Sequence, residues 1–318
     1  MKISVVIPTY NRPDHVLQLL QCLAKSVLQP VEVIIVDASE HPLQPADYAG
    51  FPGPAVHCLY TRPAVCAQRN AGIAAASGEW IFVCDDDMEV PPDYLSILCD
   101  YTTEHTDVVA LSGLVLQQEA GQWVDMYPLV SRKELWLKYI FGLGIWGGVH
   151  CKNGWGSSYL QRYYARKGNH IAASGWPVLT DFSGAAFVTP VWGLGASLIK
   201  KEWLLRLPYD ETLDQHGIGD NYGVSIGLPG IHVVQAAFVY HHHAPAQRLQ
   251  APVQYYNRVM ALDHFIRTRP ELRAVSRLAF TWSLLGNFFI FFTAGKGPMA
   301  RMAFRALRHT LKASSHGT

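Results

Sequence analysis

The chain has 318 residues, of which 49% are hydrophobic and 16% are charged. This length supports one large α/β domain or two small ones with a packed core. The formal net charge of +1 produces no global field of either sign, so the composition does not indicate a nucleic-acid partner. Any charge that matters for binding must therefore be local.

The cysteines and the apolar segments bear on the compartment. Six cysteines are scattered without a C-x-x-C pair, which is typical of free thiols in a reducing environment. The opening MKISVVIPTY lacks the features of a secretory signal and resembles a buried strand. The longest apolar stretch, from Leu278 to Ala294, is interrupted by polar residues and is too short to favour a membrane-spanning helix. We expect a cytoplasmic protein.

Strands and helices alternate through the first hundred residues. Apolar runs predict four strands, at Ile3–Ile7, Val31–Val36, Ala55–Tyr60 and Trp80–Cys84. A helix follows the first strand, beginning at Pro13 and stopped by Pro30, and a second helix is predicted from Val65 to Ala76. Prolines and glycines between residues 41 and 54 predict a surface loop. This order implies right-handed crossovers and a parallel sheet.

The pattern is less regular in the rest of the chain. A helix is predicted near Pro92–Thr103 and a strand near Val108–Val115. The stretch from Gly121 to Phe187 is rich in Gly, Trp and Tyr and has no clear periodicity, so its elements are not assigned. Strand-like patterns return at Val191–Ile199 and Ile231–Tyr240.

The residues at the ends of the predicted strands are the candidates for a binding site. They are Thr9 and Tyr10, Asp37, and the triplet Asp85-Asp86-Asp87. Ligands of an open parallel sheet bind beyond the carboxyl ends of its strands. An aromatic ring suits a base, carboxylates suit ribose or base donors, and a cation suits phosphates. The pattern therefore indicates a nucleotide.

The three adjacent aspartates indicate a metal ion. Their charges repel one another, and a cation is the simplest way to hold them together. A solvated acidic turn is the alternative, and a lone Asp37 is equally explained as a turn cap after its strand. Neither the dinucleotide-binding G-x-G-x-x-G motif nor a P-loop motif follows the first strand, so phosphates must be bound in another way.

The segments SVVIPTYNRP, VDAS, QRNAGIAAASGEW and FVCDDDMEVPPDYL resemble the family 2 glycosyltransferases in order and spacing. The resemblance covers about the first hundred residues and implies the GT-A fold, an α/β fold with a mostly parallel sheet flanked by helices. It implies a catalytic domain at residues 1–245, with a nucleotide-sugar-binding half at about 1–115 and an acceptor half at about 116–245. Residues 246–318 would form a helical, basic C-terminal extension.

The resemblance assigns donor-binding roles to matching residues. Thr9 and Tyr10 would line the base and Asp37 would bind its edge. Arg69, in the R-N-x-G segment, would approach the base or the diphosphate. Asp85 would hold the ribose.

The resemblance also implies a divalent cation, Mn²⁺ or Mg²⁺. Asp87, the last residue of the D-x-D triplet, would be a metal ligand, whereas Asp86 would belong to the donor site. In VYHHHAP, which closes a predicted strand, His241 and His243 share one face and His242 lies on the other. Imidazole is an acceptable ligand for Mn²⁺-like ions, so His241 is a second candidate ligand.

The resemblance places the catalytic base in LDQHGIGDNYGVSIGL. Asp220 matches the acidic position of the family's G-E-D-x-D-like element, although Asn221 and Gly223 depart from it. Asp214 is the alternative base. The implied reaction is a single displacement that inverts the anomeric carbon and moves a sugar from a nucleotide-diphosphate donor to an acceptor hydroxyl. The acceptor would be a saccharide or a lipid-linked molecule of polysaccharide or glycoconjugate synthesis.

Two other functions fit parts of the pattern. A sugar nucleotidyltransferase also uses acidic metal ligands, but it requires a basic glycine-rich loop where this chain has NRPDH. A non-catalytic nucleotide-sugar-binding protein with the same fold is suggested by Asn221, because fold does not fix activity.

The C-terminal segment is basic and apolar. Beyond Glu271 there are seven Lys or Arg residues and no Asp or Glu. Aromatic and aliphatic residues lie between these charges, from Trp282 to Phe292. This composition predicts either a helix packed on protein or peripheral contact with an anionic membrane on its cytoplasmic face.

Overall fold

The structure is a computed structural model that describes residues 1–119, 121–125, 131–149, 156–213, 215–242 and 249–315. The chain forms two compact units. The first unit comprises residues 1–126 and 183–245, and the second comprises residues 127–182 and 246–318. Judged by the contacts within each unit, residues 127–182 therefore belong with the C-terminal helices. The division of function at residue 245 stays a prediction.

The strands, in chain order, are β1 (Ile3–Thr9), β2 (Glu32–Asp37), β3 (Ala55–Tyr60), β4 (Trp80–Cys84), β5 (Met88–Glu89), β6 (Ala110–Glu119), β7 (Gln122–Val124), β8 (Ile145–Trp146), β9 (His170–Ile171), β10 (Pro177–Leu179), β11 (Ala186–Thr189), β12 (Ala196–Lys200) and β13 (Ile231–His241). The helices are α1 (Pro13–Ala24), α2 (Val65–Ala75), α3 (Tyr94–Glu104), α4 (Arg132–Phe141), α5 (Ser157–Lys167), α6 (Lys201–Arg206), α7 (Asp220–Ser225), α8 (Ala251–Thr268), α9 (Arg277–Thr293) and α10 (Gly297–Ser315).

The first unit is built on one mixed sheet. Its strand order is β11-β13-β6-β12-β4-β1-β2-β3, with β5 and β7 attached to β13 and β6. The strands from β4 to β3 are parallel, as the alternation of strands and helices predicted. The pair β6 and β13 is also parallel, whereas β12 runs antiparallel to both of its neighbours. The predicted α/β class of fold is confirmed.

Apolar side chains explain why these elements pack as they do. Every residue of β1 is buried, as expected for a strand covered on both faces. The helix α1 buries Val16, Leu19, Leu20 and Leu23 at helical spacing. In α2, a Cβ at Gly72 would lie 2.4 Å from a methyl carbon of Val6. The absence of a side chain there lets α2 approach the sheet closely.

Several predicted boundaries differ from the structure. The helix α1 ends at Ala24, and Val27, which was counted with its apolar face, is 73% exposed. The strand predicted at Val191–Ile199 is limited to β12, which begins at Ala196. In its described residues, the unassigned stretch from Gly121 to Phe187 contains the helices α4 and α5 and the small separate sheet of β8, β9 and β10.

The second unit is mainly helical. Its three-stranded sheet has the order β8-β10-β9, and a small core forms from Leu135, Ile145, Leu160, Tyr164 and Val178. The long helices α8, α9 and α10 pack against one another, and α9 also contacts α4. In the described ranges, every helix is too short or too polar to cross a bilayer.

Candidate active site

The candidate site lies at the carboxyl edge of the parallel strands. In the sheet, β1 has β2 on one side and β4 on the other, so the order of the strands changes direction at β1. Thr9 at the end of β1 is paired in register with Asp37 at the end of β2. The triplet Asp85-Asp86-Asp87 directly follows β4. This is the switch point at which open α/β sheets bind ligands.

Asp86 is tied to the end of β1. Its carboxylate accepts a hydrogen bond from the Thr9 hydroxyl at 2.7 Å and another from the Arg12 guanidinium at 3.0 Å. Burial raises the pKa of Asp86 to about 6, although the nearby Arg12 charge acts in the opposite direction. Thr9 is equally buried. These contacts fix the loop after β1 against the acidic triplet.

Asp87 and His241 face each other across the site. The Nε2 atom of His241 lies 3.2 Å from Asp87 Oδ1, and Arg12 lies 3.5 Å from the other carboxylate oxygen. The backbone N–H of His242 donates to the carbonyl of Asp87, which holds the end of β13 beside the triplet. The imidazole of His242 contacts Glu89 instead, in agreement with the predicted alternation of faces.

Arg69 joins the acidic triplet to the predicted base. Its guanidinium donates to Asp85 Oδ1 at 2.6 Å and to Asp220 Oδ2. Arg69 lies on α2 and Asp220 in the first turn of α7, so one cation connects two distant parts of the sequence. Both side chains are largely buried.

Burial and neighbouring charges shift the pKa values of both Arg69 and Asp220. Burial alone would lower the pKa of Arg69, but the carboxylates of Asp220 and Asp85 raise it well above its ordinary value. Burial raises the pKa of Asp220, partly opposed by Arg69. The guanidinium also lies over the ring of Tyr209, 5.1 Å from its centroid. Arg69 is thus a permanent cation, and Asp220 is a stronger base than an exposed aspartate.

Two buried polar atoms at this point lack a hydrogen-bond partner in the described part of the chain. They are Nε of Arg69 and the hydroxyl of Tyr209. Such groups are uncommon in folded proteins and point to a place where a water or a ligand oxygen adds hydrogen bonds.

Gly195 gives Asp85 its position. The backbone N–H of Asp85 donates to the Gly195 carbonyl at 2.8 Å. A Cβ at Gly195 would lie 2.2 Å from Asp85 Oδ2, so a larger residue would displace the carboxylate. The residue immediately before β12, within the segment predicted as a strand at Val191–Ile199, therefore shapes the acidic edge.

Asp37 has the geometry of a turn cap, which was the alternative interpretation of its sequence. Its two carboxylate oxygens accept the backbone N–H groups of Ser39 and Leu43, each at 2.8 Å. The residue is only 2% exposed. Tyr10 is half-buried, and the neighbouring Asn11 has a positive φ of 53° and contacts the same loop.

Sequence reasoning missed two residues beside Arg69. Gln68 is buried and donates to the carbonyls of Thr9 and Val36, both at 2.8 Å, so it clamps the ends of β1 and β2. Asn70 bonds both backbone groups of Tyr209. The sequence feature that could have identified them is a run of three consecutive polar residues inside a helix that is otherwise rich in alanine.

The donor atoms at Asp87 and His241 suit an ion of the Mn²⁺ type. A carboxylate oxygen and an imidazole nitrogen are compatible ligands for it. Across the described ranges, no group of three or more His, Cys, Asp or Glu side chains is arranged to hold a metal. A cation here would therefore take its remaining ligands from a bound molecule, as Mg²⁺-type ions do with diphosphates. The candidates Asp214 and His243 lie outside the described residues.

Comparison with solved structures agrees with this architecture. The mannosyltransferase PcManGT from Pyrobaculum calidifontis, in complex with GDP-Man and Mn²⁺, has a TM-score of 0.53 and 15% sequence identity. The match covers 98% of this chain and 87% of that one. At this level of identity the likeness is one of fold, and the fold is that of the GT-A glycosyltransferases.

The chain belongs to glycosyl transferase family 2, whose sequence model matches residues 4–165. An uncharacterized glycosyltransferase of Bacillus subtilis, YwdF, is 38% identical over 135 residues, which cover 42% of this chain and 49% of the relative. A glucosyl-dolichyl phosphate glucuronosyltransferase of Haloferax volcanii is 26% identical over 133 residues, which cover 40% and 42%. The chain thus spans half or less of the length of these relatives.

Proposed function

We propose that the chain is an inverting glycosyltransferase that moves a sugar from a nucleotide-diphosphate donor to an acceptor hydroxyl. Family membership supports this class of reaction. The observation that carries the proposal is the bridge from Asp85 through Arg69 to Asp220. It brings the proposed donor-binding acid and the proposed base to one buried point at the switch of the sheet.

Asp220 is the proposed base. The acceptor O–H bond breaks as its proton passes to the Asp220 carboxylate, and the acceptor oxygen bonds the anomeric carbon. The bond from that carbon to the diphosphate breaks at the same time, and the electron pair leaves with the diphosphate. Attack opposite the leaving group inverts the anomeric centre. Its raised pKa makes Asp220 better suited to accept this proton.

Arg69 is proposed to position the two acids. Both terminal nitrogens are engaged by Asp85 and Asp220, and the side chain is buried. The direct contact of Arg69 with the base or diphosphate that the family resemblance implied stays a prediction. The positive charge of Arg69 also favours the ionised form of Asp220, which the base requires.

The donor is proposed to lie over the ends of β1 and β4, where Thr9, Tyr10, Asp85 and Asp86 meet. Asp87 and His241 would hold Mn²⁺ or Mg²⁺, and the cation would neutralise charge on the departing diphosphate. Asp37 is proposed to act through the loop it caps, since both of its oxygens accept backbone N–H groups.

The proposed acceptor is a saccharide or a lipid-linked molecule of glycoconjugate synthesis. The Haloferax relative is a glucosyl-dolichyl phosphate glucuronosyltransferase, and its name thus refers to a lipid-linked sugar. We place the reaction in the cytoplasm, where the free thiols found among the described residues stay reduced. The exposed apolar face of α9 and the nearby basic residues support peripheral contact with anionic lipid.

A turnover screen tests the proposal. Purified protein is incubated with a set of nucleotide sugars and an acceptor extract, and the release of free nucleoside diphosphate is measured. Release that requires the extract supports transfer. Donor binding without any release would instead favour the non-catalytic binding protein, and release of pyrophosphate from a nucleoside triphosphate would favour a nucleotidyltransferase.

A further inference from the structure

The second unit contains a cavity of about 650 Å³ that the proposed reaction does not use. Its walls come from α4 and its cap Ser131, from α8, from the last turns of α9 and the segment that follows it up to Lys296, and from Leu143, Gly144 and Trp176. All of these residues belong to the second unit. A cavity of this size is within the range that binds small molecules.

The cavity is strongly cationic. Lys133, Lys138, Arg258 and Lys296 line it, and Glu134 is the one carboxylate among its described lining residues. Glu134 forms an ion pair with Lys138 at 3.1 Å. The other three cations form no ion pair within the described part of the chain. Their positive charge is therefore available for an anion.

The backbone of α4 adds to this field. Ser131 caps the helix by accepting the N–H of Glu134, and both residues line the cavity. The N-terminus of a helix carries a partial positive charge, which favours a negative group nearby. The cationic side chains and the N-terminus of α4 thus both favour negative charge. The site therefore fits an anion better than a neutral or cationic ligand.

Much of the rest of the wall is apolar or aromatic, although the polar side chains of Tyr255, Asn287 and Thr293 also line it. It includes Leu137, Leu143, Trp176, Ile290 and Phe291. The indole N–H of Trp176 is already used, because it donates to the Ser283 hydroxyl at 2.9 Å. These surfaces offer contact to hydrocarbon and have little to offer a free inorganic ion. The ligand should therefore carry an apolar group beside its charge.

We propose that this cavity binds a phosphate ester of an amphiphile, with the phosphate at Lys133, Arg258 and Lys296 and the hydrocarbon against the aromatic wall. Guanidinium and ammonium groups are the usual partners of phosphate oxygens. The assignment goes beyond the proposed transfer reaction and does not depend on it, because it concerns residues of the second unit alone.

Calorimetric titration of the full chain tests the proposal with three probes. Farnesyl phosphate, below its aggregation concentration, carries both features of the ligand. Farnesol lacks the phosphate, and inorganic phosphate lacks the hydrocarbon. We expect measurable binding of farnesyl phosphate and at least about tenfold weaker binding of either partial probe. Equal affinity for farnesol, or no binding of farnesyl phosphate, would overturn the assignment.

A matched pair of variants locates the binding. The triple variant Lys133→Gln, Arg258→Gln, Lys296→Gln removes the cations of the cavity, and it should weaken farnesyl phosphate binding about tenfold or more. The control, Arg273→Gln, Arg301→Gln, Arg308→Gln, removes the same charge from exposed positions outside it. Thermal unfolding confirms that both fold. Equal losses in the two variants would mean non-specific attraction and would contradict the proposal.

Discussion

Arg69 and Asp220 form a buried ion pair between α2 and the first turn of α7. The same guanidinium holds Asp85 at the end of β4. A cation shared by two acids fixes the distance between them, and its charge favours the ionised form of Asp220. This relationship leads to separate predictions for catalysis and for stability.

Asp220→Asn should abolish sugar transfer while leaving nucleotide binding nearly intact. The amide cannot take the acceptor proton, so we expect kcat to fall by about 10²–10⁴-fold. Calorimetric titration with the nucleoside diphosphate should give a Kd close to that of the wild type. Asp93→Asn, at an exposed position in the same unit, is the control and should retain activity. Wild-type turnover by Asp220→Asn would make Asp214, the alternative base, the better candidate.

Arg69→Gln should destabilise the first unit, because it leaves the buried carboxylate of Asp220 and the half-buried carboxylate of Asp85 without their cation. Removal of one partner of a buried pair costs about 3–5 kcal/mol. Urea unfolding measures the loss.

The double variant Arg69→Gln, Asp220→Asn provides the control for this effect. If the ion pair is the cause, neutralising Asp220 should cost less in the Arg69→Gln background than in the wild type, or should even restore stability. Strictly additive losses would show that the two residues do not act as a pair.

Donor binding should require a divalent cation. We expect UDP, GDP or dTDP, whichever binds, to bind more tightly with Mn²⁺ than in EDTA, because Asp87 and His241 supply only part of a coordination shell. Asp87→Asn should weaken both binding and turnover, and His241→Ala should weaken the response to Mn²⁺. Equal affinity in EDTA would argue against the metal.

Much of the first unit follows from local patterns. The strands β3 and β4 have the predicted bounds. In β4, a continuous apolar run closed by Asp85 allows few alternatives. The end of α1 was not predictable in this way. Val27 continues its helical spacing, yet the chain must leave the helix at Ala24 to reach β2.

The site was predictable where residues are close in sequence, and not where they meet only in space. The acidic triplet and Arg69 stand out as short motifs, whereas the pairing of Arg69 with Asp220 spans 151 positions. The role of Gly195 also depends on the register of β12 against β4, which pairs Ala196 with Cys84. No local pattern determines that register.

Glu32 predicts a pH dependence outside the site. Burial would raise the pKa of Glu32, but hydrogen bonds from Ser4 and Ser77 outweigh it and lower the pKa. A lowered pKa in the folded state means that the stabilisation is present above the unfolded pKa and is lost as the pH falls through the folded value.

Urea unfolding at several pH values checks this expectation. Glu32→Gln should be about 1–2 kcal/mol less stable than the wild type at neutral pH, and the difference should shrink in acid. Glu40→Gln, whose side chain is exposed, should show no such trend. A difference that stays constant with pH would contradict the assignment.

The exposed face of α9 predicts membrane contact. Leu278, Trp282, Leu285, Phe289 and Phe292 recur every three or four residues and are 40–81% exposed, whereas Phe280 and Leu284 on the other side are buried. The helix is therefore packed on one face and apolar towards solvent on the other. Exposed apolar surface of this extent marks an interaction site.

Sedimentation with vesicles tests whether the exposed face of α9 binds a membrane or another protein surface. Vesicles of phosphatidylcholine with one third phosphatidylglycerol should carry the full chain down at low salt, because basic residues near an anionic surface contribute about 1 kcal/mol each. Leu278→Ser, Phe292→Ser should weaken this binding, since both side chains are exposed and would enter the headgroup region. Val27→Ser, Leu205→Ser, at exposed apolar positions of the first unit, is the control and should bind like the wild type. If the full chain stays in the supernatant, the face packs against protein, and a soluble acceptor becomes the better hypothesis.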